Sequence, residues 1–135
     1  MKVVLDTNVL VSGLLAPKGT PGRVLGAWLE ARYELVLAFD QLGEIGRVLT
    51  YPKIREHLGW DDAEVGRFLE QLYLRAEVIE APRSKGAAVR DPGDAPILAA
   101  FIQSGADVLV SGDKDLLVLK DRYAIETPAE FARRI

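Results

Sequence analysis

Cysteine is absent from the 135-residue chain, and histidine occurs once, at position 57. The first absence excludes disulfides and thiolate metal ligands; the second argues against a histidine-rich transition-metal site and against a Ser-His-Asp hydrolase. Any bound metal is therefore expected on oxygen ligands, which suit Mg²⁺ or Mn²⁺. Long apolar runs are missing too. None approaches the ~18 residues that a membrane span requires, and no basic segment followed by an apolar one opens the chain. A cytoplasmic protein without membrane contact is the expectation. Basic residues are outnumbered, with 17 Lys and Arg against 20 Asp and Glu. That balance at first disfavours a polyanionic partner, because phosphate backbones are held largely by cations. Neutralising five carboxylates with metal would turn the net charge from −3 to +2, so bulk charge neither supports nor excludes nucleic acid.

What is present is apolar material, 49% of residues, enough for the core of one compact domain over 1–135. Short, nearly all-apolar runs alternate with amphipathic stretches. Lys2 to Leu5, Glu34 to Ala38, Glu77 to Glu80, Asp107 to Ser111 and Tyr123 to Ile125 read as strands, the first apolar enough to be covered on both faces. Between them lie helix patterns: about Pro21 to Arg32, Gln41 to Leu49 with Asp40 as cap, Lys53 to Leu58, and a longer helix opened by Asp61 and Glu64. Val65, Phe68, Leu69, Leu72 and Tyr73 would form the buried face of that last one. Asp94 reads as the cap of a helix carrying Ile97, Leu98, Phe101 and Ile102 and ending at Gly105, and Thr127-Pro128 opens a closing helix. Trp28, Phe68, Tyr73 and Phe101 are expected in the core, and His57 in a packing role. Strands alternating with helices predict an α/β protein, a three-layer α/β/α sandwich around a parallel sheet. Its ligands would bind beyond the carboxyl ends of the strands.

Carboxylates stand where that rule matters. Asp6 ends the first strand, with Thr7 and Asn8 beside it, and Asp113 and Asp115 follow the strand that ends at Ser111. Glu44 lies early in the helix after the second strand, and Asp94 opens a later one. Each has an ordinary explanation taken alone: Asp6 as a turn former or helix N-cap, Glu44 as a solvated or ion-paired helix residue, Asp94 as a cap. Brought to one crevice they would repel by about 4 kcal/mol per close pair at an effective dielectric near 20, so that crevice requires cations or protons. Asp6, Glu44, Asp94 and Asp113 are thus candidate metal ligands. Asp115 is a further one, binding through water or capping the short helix after it. Thr7, Asn8 and Ser111 are candidate supporting groups, and Asp91, ahead of Pro92, ranks below them.

Four ordered segments carry a resemblance. They are Val4 to Val9 around Asp6; Glu44 and Ile45 with Tyr51-Pro52-Lys53; Arg90 to Ala99 around Asp94; and Val110 to Leu117 around Asp113 and Asp115. Together the chain resembles the PIN-domain ribonucleases, particularly the branch related to VapC toxins. The resemblance implies an acidic pocket binding Mg²⁺ or Mn²⁺ and metal-dependent endonucleolytic hydrolysis of RNA. In it, Asp6, Glu44, Asp94 and Asp113 form the family's acidic quartet and Asp115 is an additional acid. It also implies a small antitoxin partner and self-association, as a homodimer. The chain departs from the family pattern at Ser111, where Thr is common, and at Ala38, where Ser or Thr is frequent. Two other readings compete: a haloacid-dehalogenase-type phosphatase, from Asp6-Thr7-Asn8-Val9 with Asp113, and a non-catalytic binding module on the same fold. Asn8 counts against the phosphatase, whose second acid must protonate the leaving group.

Overall fold

A computed structural model describes residues 1–135. Five strands, β1 (Lys2–Leu5), β2 (Glu34–Ala38), β3 (Glu77–Ile79), β4 (Val108–Val110) and β5 (Ile125–Glu126), form one all-parallel sheet in the order β3-β2-β1-β4-β5. Eight helices flank it: α1 (Thr7–Leu15), α2 (Thr20–Leu29), α3 (Phe39–Leu49), α4 (Pro52–Leu58), α5 (Asp62–Arg75), α6 (Ala95–Ser104), α7 (Lys114–Leu117) and α8 (Pro128–Ala132). No helix is long and apolar enough to cross a membrane.

The apolar strands split their side chains between two cores. Val3, Leu5, Leu35, Leu37, Val108 and Val110 pack on one face with Leu10, Val24, Trp28, Ile45, Leu72 and Phe131. Val4, Val36 and Leu109 pack on the other with Ile97, Leu98, Phe101 and Leu116. Alternate residues of each strand thus enter different layers, which is why these strands read as continuous apolar runs. The arrangement is the expected three-layer α/β/α sandwich.

Strand order places the crevice. From β1 the chain winds outward through β2 to β3, then crosses back to β4 on the other side of β1. The carboxyl ends of β1 and β4 therefore flank the switch in winding direction, with Leu5 opposite Val110 in register. A loop between β3 and α6 completes one wall. It contains 3₁₀ turns at Arg83–Gly86 and Pro92–Asp94. Gly86 lies so close to α6 that a Cβ would come 2.0 Å from the Ala95 carbonyl oxygen, so only glycine lets this loop seat against the helix start.

Several local expectations are corrected. Of the two ordinary explanations for Asp6, the N-cap position holds and the turn does not: Thr7 and Asn8 already belong to α1, the Asp6 carbonyl accepting from the Val9 and Leu10 amides. Helix α3 starts two residues earlier than expected: Asp40 lies in its first turn without capping, and Gln41 instead accepts from the Ala38 amide at 3.0 Å. Asp94 occupies the cap position of α6, yet its side chain makes no capping bond. Tyr73 is 59% exposed and Ile102 37%, each turned about 100° from the buried residue before it. Trp28, Phe68 and Phe101 are buried as expected. His57 packs onto α1, its Nε2 3.0 Å from the Leu15 carbonyl oxygen.

Candidate active site

At the switch point the backbone delivers the first carboxylate directly. The Asp6 amide continues the ladder by donating to the Val110 carbonyl at 3.0 Å, which carries its side chain past the sheet edge beside β4. Ser111, fully buried, donates its hydroxyl to Asp6 Oδ2 at 2.7 Å and accepts from the Asp113 amide at 2.9 Å. One serine thus ties the ends of β1 and β4 together and fixes both acids. Asp113 in turn caps α7, accepting from the Asp115 amide at 2.9 Å. The cap expected of Asp115 belongs to Asp113.

Helix α3 brings the next acid. Gln41, 1% exposed, donates its amide to the Leu5 carbonyl at 2.8 Å and to Thr7 Oγ1 at 3.3 Å. That clamp joins the start of α3 to the end of β1, and Glu44 follows one turn later on the cleft side. Asp94 comes from the opposite wall, held by the 3₁₀ turn in which Asp91 accepts from the Gly93 amide at 2.9 Å. Asp6, Glu44, Asp94 and Asp113 converge on a cleft of about 680 Å³, lined also by Asn8, Asp40, Asp91, Arg47, Tyr51 and Arg83. Asp115 does not line it. Its Oδ1 is paired with Arg90 Nη2 at 3.0 Å, although its carboxylate lies within 4.8 Å of those of Asp91 and Asp94.

Proximity shows in the proton affinities. Burial raises the Asp6 pKa; the Ser111 hydrogen bond opposes that rise and the charge of Asp113 adds to it. Glu44 is raised by burial and by Asp6, against the Thr7 hydroxyl and the Arg47 guanidinium. Asp94 is raised most, to about 7, by burial and then by the charges of Asp113, Asp6 and Asp91. Its Oδ2 is buried without any hydrogen-bond partner. A carboxylate oxygen so placed, among three other acids, is unsatisfied by the protein alone. The donor set is all oxygen, and the orphaned atom together with the mutual repulsion fits a hard divalent cation.

Sequence reasoning overlooked Gln41 and Arg83, gave Tyr51 no role beyond the resemblance, and ranked Asp91 low although it lines the cleft. Arg23, Lys53 and Lys114 are outside the cleft lining. Arg32 pairs with Glu30, and Arg55 with Asp62.

Known proteins share this architecture. The structure of PAE2754 from Pyrobaculum aerophilum is similar with a TM-score of 0.63 at 23% identity, covering 99% of this chain and 88% of that one. VapBC2 from Rickettsia felis, bound to a DNA fragment from their promoter, gives a TM-score of 0.64 at 17% identity over 94% of this chain and 98% of that one. In sequence, the uncharacterized protein MJ1680 of Methanocaldococcus jannaschii is 32% identical over 97% of this chain and 89% of its own length. The PIN domain family model matches residues 2–115, a span that holds β1 through β4 and all of the acids converging on the cleft. On that match, and on a sheet whose order brings those acids together, the chain belongs to the PIN domain family.

Proposed function

We propose that this PIN domain is a metal-dependent endoribonuclease that hydrolyses RNA phosphodiester bonds, acting as the toxin of a toxin–antitoxin pair. The observation that carries the reading is the buried, unpartnered Oδ2 of Asp94 facing a cleft whose other acids raise its pKa to about 7. Asp6, Asp94 and Asp113 would hold one Mg²⁺ or Mn²⁺, with Glu44 completing its shell or binding a second. Bound there, the cation supplies Lewis-acid polarisation of the phosphodiester and acidification of water. The remaining steps belong to the chain's own groups. Ser111 orients Asp6 Oδ2, Gln41 and Thr7 hold the edge of β1 against α3, and the exposed Asn8 amide is available to a phosphate oxygen. Arg47 on the rim supplies positive charge to the incoming backbone. Asp115, held by Arg90, would act on a ligand of Asp91 and Asp94 from the far side.

A small antitoxin as partner, and a homodimer, follow from the likeness to VapC toxins, and the fold shared with Rickettsia felis VapBC2 supports the same reading. The phosphatase alternative gains nothing: at Asn8 an amide lines the cleft where that chemistry needs an acid.

The test is cleavage of a mixed-structure RNA panel by purified protein in Mg²⁺, Mn²⁺ or EDTA, beside Asp6→Asn prepared identically. Cutting by the wild type with metal alone supports the reading. Uncut RNA under every condition sinks it and leaves the binding-module reading.

A further inference from the structure

The cleft has two chemically different sides. Its floor is acidic, but its α3–α4 edge presents Arg47 and, one turn on, Tyr51. Other cations near the site are committed: Arg83 Nη2 pairs with Asp40 at 3.1 Å, and Arg90 with Asp115 at 3.0 Å. Arg47 figures in none of the seven salt bridges and its side chain makes no hydrogen bond; only its charge reaches Glu44, from beyond pairing distance. Tyr51 is 54% exposed, and its hydroxyl has no partner.

Backbone geometry fixes the point from which that ring projects. Tyr51 sits at the cap of α4, its amide donating to Val48 at 3.1 Å and its carbonyl accepting from the Arg55 amide at 2.8 Å. Pro52 restricts Tyr51, the residue before it, to extended backbone. A tyrosine left bare on a fixed backbone at the lip of a polar cleft loses apolar burial with no return inside the folded chain. Exposure alone does not select it, since Tyr73 is equally bare; Tyr73, however, lies on α5, outside the cleft lining. What singles out Tyr51 is an aromatic face beside an unpaired guanidinium, next to carboxylates built for a phosphodiester. That pairing matches one nucleotide: a base with a π-face and the phosphate attached to it.

We propose that Tyr51 and Arg47 form a subsite for one unpaired nucleotide flanking the scissile phosphate, the base stacking on the Tyr51 ring and its phosphate pairing with the Arg47 guanidinium. This rests on the nuclease reading above. Both are positioning residues. A base inside a duplex is already stacked and offers no free face, so the subsite favours strands that are single at this position.

The test is equilibrium binding in Ca²⁺ of a fluorescein-labelled single-stranded RNA octamer, the same octamer in a duplex, and an abasic octamer. The proteins are wild type, Tyr51→Phe, Tyr51→Ala and Arg47→Gln, each checked for an unchanged melting transition. Tyr51→Ala should weaken the single strand roughly ten-fold or more, Tyr51→Phe should restore it, and the abasic strand should be indifferent to both changes. Arg47→Gln should weaken the intact and abasic strands alike and reduce the salt dependence of binding by about one phosphate contact. Binding of the intact strand unchanged in Tyr51→Ala, or a loss that the abasic strand shares, overturns the subsite while leaving the nuclease reading standing. A wild type that binds none of the three strands overturns both.

Discussion

The Ser111 hydroxyl donates to Asp6 Oδ2 at 2.7 Å across 105 residues of chain, joining the carboxyl ends of the two strands that flank the switch point. Ser111 Oγ also accepts from the Asp113 amide, so a single side chain sets the spacing of two acids that repel each other.

Replacing Ser111 with alanine should therefore cost more than a surface hydroxyl would. A hydrogen bond to a charged group contributes about 1.5–3 kcal/mol, and Asp6 is buried to 4% exposure. The expected result is a loss of about 2 kcal/mol in urea unfolding of the metal-free protein. Mn²⁺ affinity should fall roughly 10-fold or more. Ser111→Thr, which keeps the hydroxyl, should restore most of the affinity.

Gln41 offers a sharper stability test. Its amide serves the Leu5 carbonyl, the Thr7 hydroxyl and the Ala38 amide at once, all buried. In Gln41→Leu, of similar size, those groups lose their partner. Denaturant unfolding should show a loss of about 3 kcal/mol. An unchanged midpoint would mean that α3 is not held to β1 through this side chain.

Stability of the metal-free protein should fall as pH rises toward neutrality. Asp94 has a folded pKa of about 7 against 3.8 for the ordinary group, and Asp6 and Glu44 are raised as well. Between about pH 4 and 7 the folded state thus binds more protons than the unfolded one, so unfolding free energy decreases with increasing pH across that window. Thermal melts in EDTA should show this slope, and saturating Mg²⁺ should flatten it by replacing the protons.

Asp94→Asn should separate stability from function. The amide removes a charge that burial and three acids oppose, so the metal-free variant should be more stable than wild type at pH 8, by about 1–2 kcal/mol, while losing metal-dependent activity. Equal or lower stability at pH 8 would show that the carboxylate is not destabilised in place.

Much of this was legible in the sequence because of how a parallel sheet is buried. β1 and β4 sit under helices on both faces, so Val3 to Leu5 and Val108 to Val110 read as apolar runs, and the polar residues that break them, Asp6 and Ser111, mark the sheet edge. The convergence of Glu44 and Asp94 on the same cleft follows from element order. Gln41 was illegible because its partners, Leu5 and Thr7, lie 36 and 34 residues away, and nothing in an Asp40-Gln41 pair indicates which of the two closes the helix. The pairing of Asp115 with Arg90 depends on a loop whose course is set by the close approach of Gly86 to Ala95. Tyr73 followed helical spacing and still faces solvent, turned about 100° around α5 from the buried Leu72.

The most direct measurement is a calorimetric titration of Mn²⁺ into the wild type and Asp6→Asn near pH 6, repeated in buffers of different ionisation enthalpy. A cation entering this cleft must displace protons held at Asp94, so the wild type should bind with a buffer-dependent heat that reports proton release, and Asp6→Asn should bind far more weakly. Binding of equal strength in both proteins, or no binding in either, would contradict a metal site at the switch point.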